Sequence, residues 1–142
     1  MDDFRVVVTP WLQEQDVVVL WDIAPDLPLV WADRATLMQV LLNLTTNSLR
    51  ALAQVVDKVL TISIRHGDGC VLLEFLDNGC GVAHPERLFH PFQEGAQVTG
   101  LGLYLSRAFM RSFGGDLRYE PVSRGTAFVM EIPTAQQMER TR

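Results

Sequence analysis

Three groups of residues carry the chemistry this sequence offers. The first is Asn43, Asn47 and Arg50. At roughly 100° per residue in a helix, their side chains share an arc about 60° wide, beside the apolar positions rather than among them. Carboxamide oxygens are hard, neutral ligands suited to Mg2+, which binds through few protein oxygens, waters and substrate phosphates. A guanidinium on the same edge pairs with a phosphate oxygen. The arc also reads as an ordinary solvated helix face. The second group is Asp77-Asn78-Gly79-Cys80-Gly81-Val82, placed where a strand ends. A carboxylate there accepts a hydrogen bond from an exocyclic amine such as that of adenine, and the glycines let backbone approach a flat base. A plain Asp/Asn/Gly turn has the same composition. The third group is Thr99-Gly100-Leu101-Gly102-Leu103, immediately ahead of a helix, where free amide N–H groups and the helix dipole favour a phosphate. It lacks the P-loop lysine, and it lacks the third glycine and strand-first order of the dinucleotide fingerprint, so neither of those readings applies.

The elements that must position these groups follow from periodicity. Asp16 to Ala24 is rich in Val and Leu and stops at Pro25, which predicts a strand and then a turn. Asp33 is placed as an N-cap, and Leu37, Val40, Leu41, Leu44, Ala51 and Leu52 repeat at helical spacing, so the asparagine helix is expected over about 33–54. Val59 to His66 and Cys70 to Leu76 flank Gly67-Asp68-Gly69 as a β-hairpin. From Asp77 to Gly100 the chain is a long loop with a short helical stretch around Pro85 to Phe89, and long loops inside compact domains are often functional. Leu101 to Phe113 reads as a helix stopped by Gly114-Gly115, and Asp116 to Tyr119 with Thr126 to Ile132 as a final strand pair. The polar tail from Thr134 is expected to fray. The fold class that results is α+β: a two-layer α/β sandwich, a mixed sheet with its helices on one face.

Composition narrows the function classes. At 142 residues, 48% apolar and 20% charged, the chain suffices for one hydrophobic core and not for two. A net charge of −5, with no segment that concentrates Lys and Arg, argues against a surface that collects nucleic acid or anionic lipid. No stretch reads as a signal peptide or as an apolar run of about 18 residues, so the expected location is the cytoplasm. Cys70 and Cys80 lack metal spacing and read as reduced thiols. Trp11, Trp21 and Trp31 fall at equal intervals, but the residues between them share no pattern, and no repeat underlies the order.

Taken in order, the three groups resemble the boxes of sensor histidine kinases. Asp33-Arg34 through Gln39-Val40-Leu41-Leu42-Asn43-Leu44-Thr45-Thr46-Asn47-Ser48 looks like their N box. Asp77-x-Gly79-x-Gly81 resembles the G1 box, Leu88-Phe89-His90-Pro91-Phe92 the F box, and Gly100-Leu101-Gly102-Leu103 the G2 box. Gly125-Thr126-Ala127-Phe128 resembles the late Gly-Thr element near the adenine pocket. The resemblance runs from about residue 16 to 133. It implies the Bergerat-type ATP-binding fold shared by gyrase, Hsp90, MutL and histidine kinases. It implies ATP and Mg2+ as cofactors, with Asp77 on the adenine amine, Asn47 as principal Mg2+ ligand and Asn43 beside it. It implies Arg50 near phosphate and Gly79, Gly81, Val82, Phe89, Phe92, Gly100, Leu101, Gly102, Leu103 and Thr126 lining the nucleotide.

The resemblance also implies an activity, and one residue points within the superfamily. Hydrolytic members, and the serine kinases that act on anti-sigma-factor antagonists, typically carry Glu where Asn43 stands, and an amide does not accept a proton at neutral pH. A histidine acceptor is its own nucleophile, so the expected function is transfer of the γ-phosphate of Mg-ATP to a histidine. Asn43, Asn47 and Arg50 are the residues expected to serve that transfer. Two departures stand against the family pattern. The lid, Gln93-Glu94-Gly95-Ala96-Gln97-Val98-Thr99, is short, lacks Lys and Arg, and has Val98 where a glycine is usual. None of His66, His84 and His90 resembles a phosphoacceptor on a helix. The acceptor is therefore expected on a dimerisation domain that would precede Met1, with residues 1–15 as connecting segment, 16–133 as kinase domain and 134–142 as tail. A response regulator would be an indirect partner, with no direct membrane contact from this domain. A free-standing serine kinase or ATPase of the same fold, or a degenerate nucleotide-binding regulatory module, are the alternatives.

Overall fold

The hairpin strands β2 (Val59–His66) and β3 (Cys70–Asp77) form the centre of the molecule, because alternate residues of each are apolar and buried. They pair antiparallel, with Ile62 opposite Phe75 and Ile64 opposite Leu73. The computed structural model describes residues 2–91 and 102–140. On the far side of β3 lies β5 (Thr126–Pro133), antiparallel, and then β4 (Asp116–Glu120) at one edge. At the other edge β1 (Val18–Ile23) runs parallel to β2. The five-stranded order is β1-β2-β3-β5-β4, a mixed sheet as expected. A row of side chains crosses it on one face, Trp21, Ile62, Phe75, Phe128 and Tyr119, and this face carries the helices.

Three long helices cover that face. Helix α1 (Asp2–Glu14) buries Phe4, Val8 and Leu12, an i, i+4, i+8 stripe, and sets Phe4 against both Trp21 and Phe75. Helix α2 (Arg34–Leu52) begins as expected at Asp33, whose carboxylate accepts from the Thr36 amide at 2.9 Å and from its hydroxyl at 2.6 Å. Its Val40, Leu44 and Leu52 are fully buried, each such side chain contributing about 1.5–3 kcal/mol over an exposed one. Thr45 and Thr46 spend their hydroxyls on the Leu41 and Leu42 carbonyls one turn back, so neither opposes burial. Helix α3 (Gly102–Ser112) packs beside α2 through Ser106 and Met110.

Four local expectations change in detail. The first strand starts at Val18 rather than Asp16, because Asp16 takes a left-handed conformation (φ 58°) while the Val17 amide donates back to Leu12 and closes α1. Residues 2–14 are a core helix of the same body, whatever precedes them. Residues 135–140 form a short helix α4 (Ala135–Arg140) instead of fraying. Thr134, nearly fully buried, caps it by accepting from the Gln137 amide at 3.1 Å, and its own amide donates to Gly69 in the hairpin turn. The helical stretch near Pro85 is a single 3-10 turn, Pro85–Arg87.

Candidate functional site

Asp77 is the last residue of β3 and lies on the helix-covered face, two residues beyond Phe75. It is 4% exposed. Burial pushes its carboxyl up from the ordinary value, while hydrogen bonds from the Gly79 and Thr126 backbones pull the other way. The Gly79 amide reaches Oδ1 at 2.9 Å. Thr126 is its partner across the β3–β5 ladder. Two glycines make this packing possible. A Cβ on Gly79 would lie 2.6 Å from the Ala51 carbonyl oxygen in the last turns of α2. A Cβ on Gly125, where φ is +88°, would collide with the Asp77 carbonyl. Asn78 fixes the loop from outside: its Oδ1 accepts from the Val59 amide at 2.9 Å and its Nδ2 donates to the Asp57 carbonyl at 2.7 Å.

Helix α2 brings Arg50 of the first group to the same end of the sheet. Arg50, Ala51 and Gln54 line a cleft of about 640 Å³ together with Asn78, Gly79 and Arg124. Further up the helix, Asn43 and Asn47 are half-buried whereas Arg50 is exposed, so the asparagine part of the arc is not a solvated face. The Asn43 Nδ2 donates to Ser106 Oγ of α3 at 2.9 Å. The Asn47 Nδ2 is buried and has no hydrogen-bond partner among the described residues. A buried amide left without a partner costs about 1–3 kcal/mol, and such groups in native proteins call for an explanation. Two half-buried carboxamides one turn apart fit a cation held with phosphates: their oxygens are hard and neutral, and the orphaned Asn47 Nδ2 is a donor that a phosphate oxygen would satisfy.

Phe89 lies against Phe128, with ring centroids 6.4 Å apart, and beneath the Arg107 guanidinium, 4.5 Å from the ring centre. The Arg107 Nε is an ion-pair contact of Asp116 at 3.5 Å but is not aligned for a hydrogen bond, whereas Arg111 makes one at 3.0 Å. Burial raises the Asp116 carboxyl, but the Leu117 amide and the two arginines together hold it below the ordinary range. Gly102 and Leu103 open α3, Gly102 buried and Leu103 partly so. Gly81 has φ +82°, and Val82 is partly buried. Phe92, Gly100, Leu101 and the lid residues 93–99 lie outside the described residues. Ser106 and Arg107 are structural partners of the site that sequence reasoning did not single out, and Asn78, inside the second group, gains a role in holding the loop. The signal for Ser106 was a lone hydroxyl on the inward stripe that Leu103 and Met110 share with it.

His66 ends β2 exposed, and His84 pairs with Glu86 at 3.4 Å, so neither stands on a helix. Both cysteines are free, Cys70 buried and Cys80 exposed. Among the described residues no helix is long and apolar enough to cross a membrane.

Known proteins share this fold. The catalytic domain of the histidine kinase ThkA, in a nucleotide-free form, superposes with a TM-score of 0.82 at 25% identity, over 94% of this chain and 89% of that one. Full-length ShkA, solved in complex with AMPPNP, superposes at 0.78 with 26% identity, over 94% of this chain and 29% of that one. The C4-dicarboxylate transport sensor protein DctB of Rhizobium meliloti is 32% identical over 117 residues, 80% of this chain. The chain spans only 19% of that relative's length. Residues 32–136 match the family model described as "Histidine kinase-, DNA gyrase B-, and HSP90-like ATPase", a stretch that holds α2, the Asp77 loop, α3 and the last strand pair. By that match the chain belongs to this ATPase family, and its relatives and structural neighbours are sensor histidine kinases.

Proposed function

We propose that this domain binds Mg-ATP and presents the γ-phosphate to a histidine on a separate dimerisation and acceptor domain of a two-component sensor kinase. The observation that carries the reading is Asp77. A carboxylate 4% exposed, held by two backbone amides and raised by its own burial, is a costly group to keep on the core face of a sheet. That cost is intelligible if the carboxylate orients a base. Its acceptor oxygens suit the adenine amine, while Gly79, Gly81 and Val82 bound the base and Thr126 steadies the carboxylate. Asn47 and Asn43 would hold Mg2+ through their side-chain oxygens, and Arg50 would face a phosphate. When bound, the cation neutralises phosphate charge and ATP supplies the phosphoryl group. The protein's part is then to orient the nucleotide and to offer donors at the N-terminus of α3, where Gly102 and Leu103 stand. Phe89, pinned between Arg107 and Phe128, forms a wall beside it; Phe92, Gly100 and Leu101 belong to the same proposal.

Asn43 favours a histidine acceptor over water or serine, because an amide whose nitrogen already donates to Ser106 offers no base. The acceptor domain would pass the phosphoryl group on to a response regulator, and the domain would work in the cytoplasm. The test has two steps. A fluorescent ATP analogue should bind with Mg2+ and lose at least tenfold in affinity with Asp77→Asn, a buried charge-assisted hydrogen bond to the base being removed. Unchanged binding in that variant sinks the adenine assignment. The domain should next label the histidine of a supplied acceptor domain from γ-labelled ATP; binding without labelling would favour a regulatory nucleotide-binding module.

A further inference from the structure

We infer that Ser106 is a positioning residue: it captures the nitrogen end of the Asn43 amide and thereby points the Asn43 oxygen toward the metal–phosphate side of helix α2. The inference rests on the proposed roles of Asn43 and Asn47. A carboxamide has two ends of nearly equal shape, and a hydroxyl can accept from its nitrogen or donate to its oxygen; here Ser106 takes the nitrogen end. Asn43 and Asn47 are one helical turn apart on the same edge, yet they differ in this respect. Asn43 Nδ2 meets Ser106 Oγ at 2.9 Å, and Ser106 itself is 0% exposed. Asn47 Nδ2 is shut off from solvent and finds no partner among the described residues. One amide therefore has a protein partner before any ligand arrives, and the other has none among the described residues.

The placement of Ser106 gives this contact reach. It sits on α3 one turn after Gly102, on the stripe that packs against α2, with Met110 below it at 0% exposed. The same helix carries Arg107, which pins Phe89. Helix α3 thus holds the asparagine edge with one residue and the aromatic wall with the next. Loss of the serine hydroxyl leaves the Asn43 amide free to turn its nitrogen toward the cation, which would repel it, while the apolar α2–α3 contact persists through Met110.

The test measures the Mg2+ concentration needed for half-maximal binding of a fluorescent ATP analogue, alongside binding without Mg2+ and the melting temperature. Ser106→Ala should raise the Mg2+ requirement about fivefold, the worth of one hydrogen bond, with Mg2+-free binding unchanged. Ser106→Thr, which keeps the hydroxyl, should restore it, and Ser106→Ala should add nothing in an Asn43→Ala background. A role in helix packing alone predicts the opposite pattern: a lower melting temperature, no selective Mg2+ effect, and additivity with Asn43→Ala. That pattern overturns the inference and leaves the proposed site standing. If Asn43→Ala and Asn47→Ala themselves leave the Mg2+ requirement untouched, the metal reading fails as well. Should Ser106→Ala not fold, side-chain amide exchange in the wild-type domain decides: Asn43 protons protected relative to Asn47 support the inference, and equal exchange overturns it.

Discussion

The centre of the sheet and the α2–α3 junction are built on opposite rules. In the sheet, Ile62, Phe75 and Phe128 meet in register on three adjacent strands, all buried, and every contact between them is apolar. At the junction, buried Ser106 takes the Asn43 amide, and one turn further along α2 the Asn47 amide nitrogen is buried with no partner among the described residues. The first region stabilises; the second keeps polar groups in fixed directions at some cost to stability, as ligand sites commonly do. Their boundary runs through Asp77, which belongs to a core strand by its backbone and to the candidate site by its side chain.

Substitutions that separate the two regions should differ in size and in sign. The largest effect is expected from Phe75→Ala, which removes a ring touching Phe4 and flanked in register by Ile62 and Phe128. It should cost about 3–5 kcal/mol in chemical denaturation, and nucleotide binding should fall only as the folded fraction falls. Gly125→Ala comes next. Its methyl group would strike the Asp77 carbonyl at a φ of +88°, so a loss of roughly 1–3 kcal/mol is expected, this time with weaker nucleotide binding in the fraction that remains folded. Normal affinity in that variant would show that the loop yields without moving Asp77.

The smallest effect has the opposite sign. Because the folded pKa of Asp77 lies above its ordinary 3.8, protonation favours the fold; that contribution is complete below about pH 3.8 and is lost as pH rises through the elevated value. Asp77→Asn does not titrate, so at neutral pH it should melt at or above the wild-type temperature while binding nucleotide poorly. The gap should close as the solution is acidified. A variant that melts lower at neutral pH, with a gap that persists in acid, would mean that Asp77 serves the fold and not the site. Asp116 titrates in the contrary direction: its lowered pKa stabilises at neutral pH and that stabilisation fades as pH falls through the lowered value, in both proteins alike.

Much of this was legible in the sequence, because the relevant signals are local. The hairpin announces itself by alternation around Gly67-Asp68-Gly69, and α2 by its Asp33 cap and repeating leucines. The Asn and Asp groups could be placed since each lies on, or at the end of, such an element. What escaped was held by distant partners or disguised by composition. Helix α1 carries a run of β-branched residues, Val6 to Thr9, and an internal Pro10, all poor helix formers, and its packing overrides them through Phe4, Val8 and Leu12. Helix α4 depends on Thr134 meeting the Gly69 turn, 65 positions away. The Asn43–Ser106 contact spans 63 positions, and no periodicity encodes it. The parallel pairing of β1 with β2 is equally silent, since α2 intervenes.

The position of Trp21 has an optical consequence. Its ring is met edge-on by Phe4 and lies 4.9 Å from the Arg5 guanidinium, both on α1, while Trp11 stands on α1 itself and Trp31 donates its amide to Pro133 at the far end of β5. The three tryptophans of the chain are thus absent from α2, the Asp77 loop and α3. Intrinsic emission will therefore register whether α1 is seated and will stay nearly blind to an occupant beside Asp77, so one sample offers two independent channels: its own light for the scaffold, an added fluorophore for the ligand.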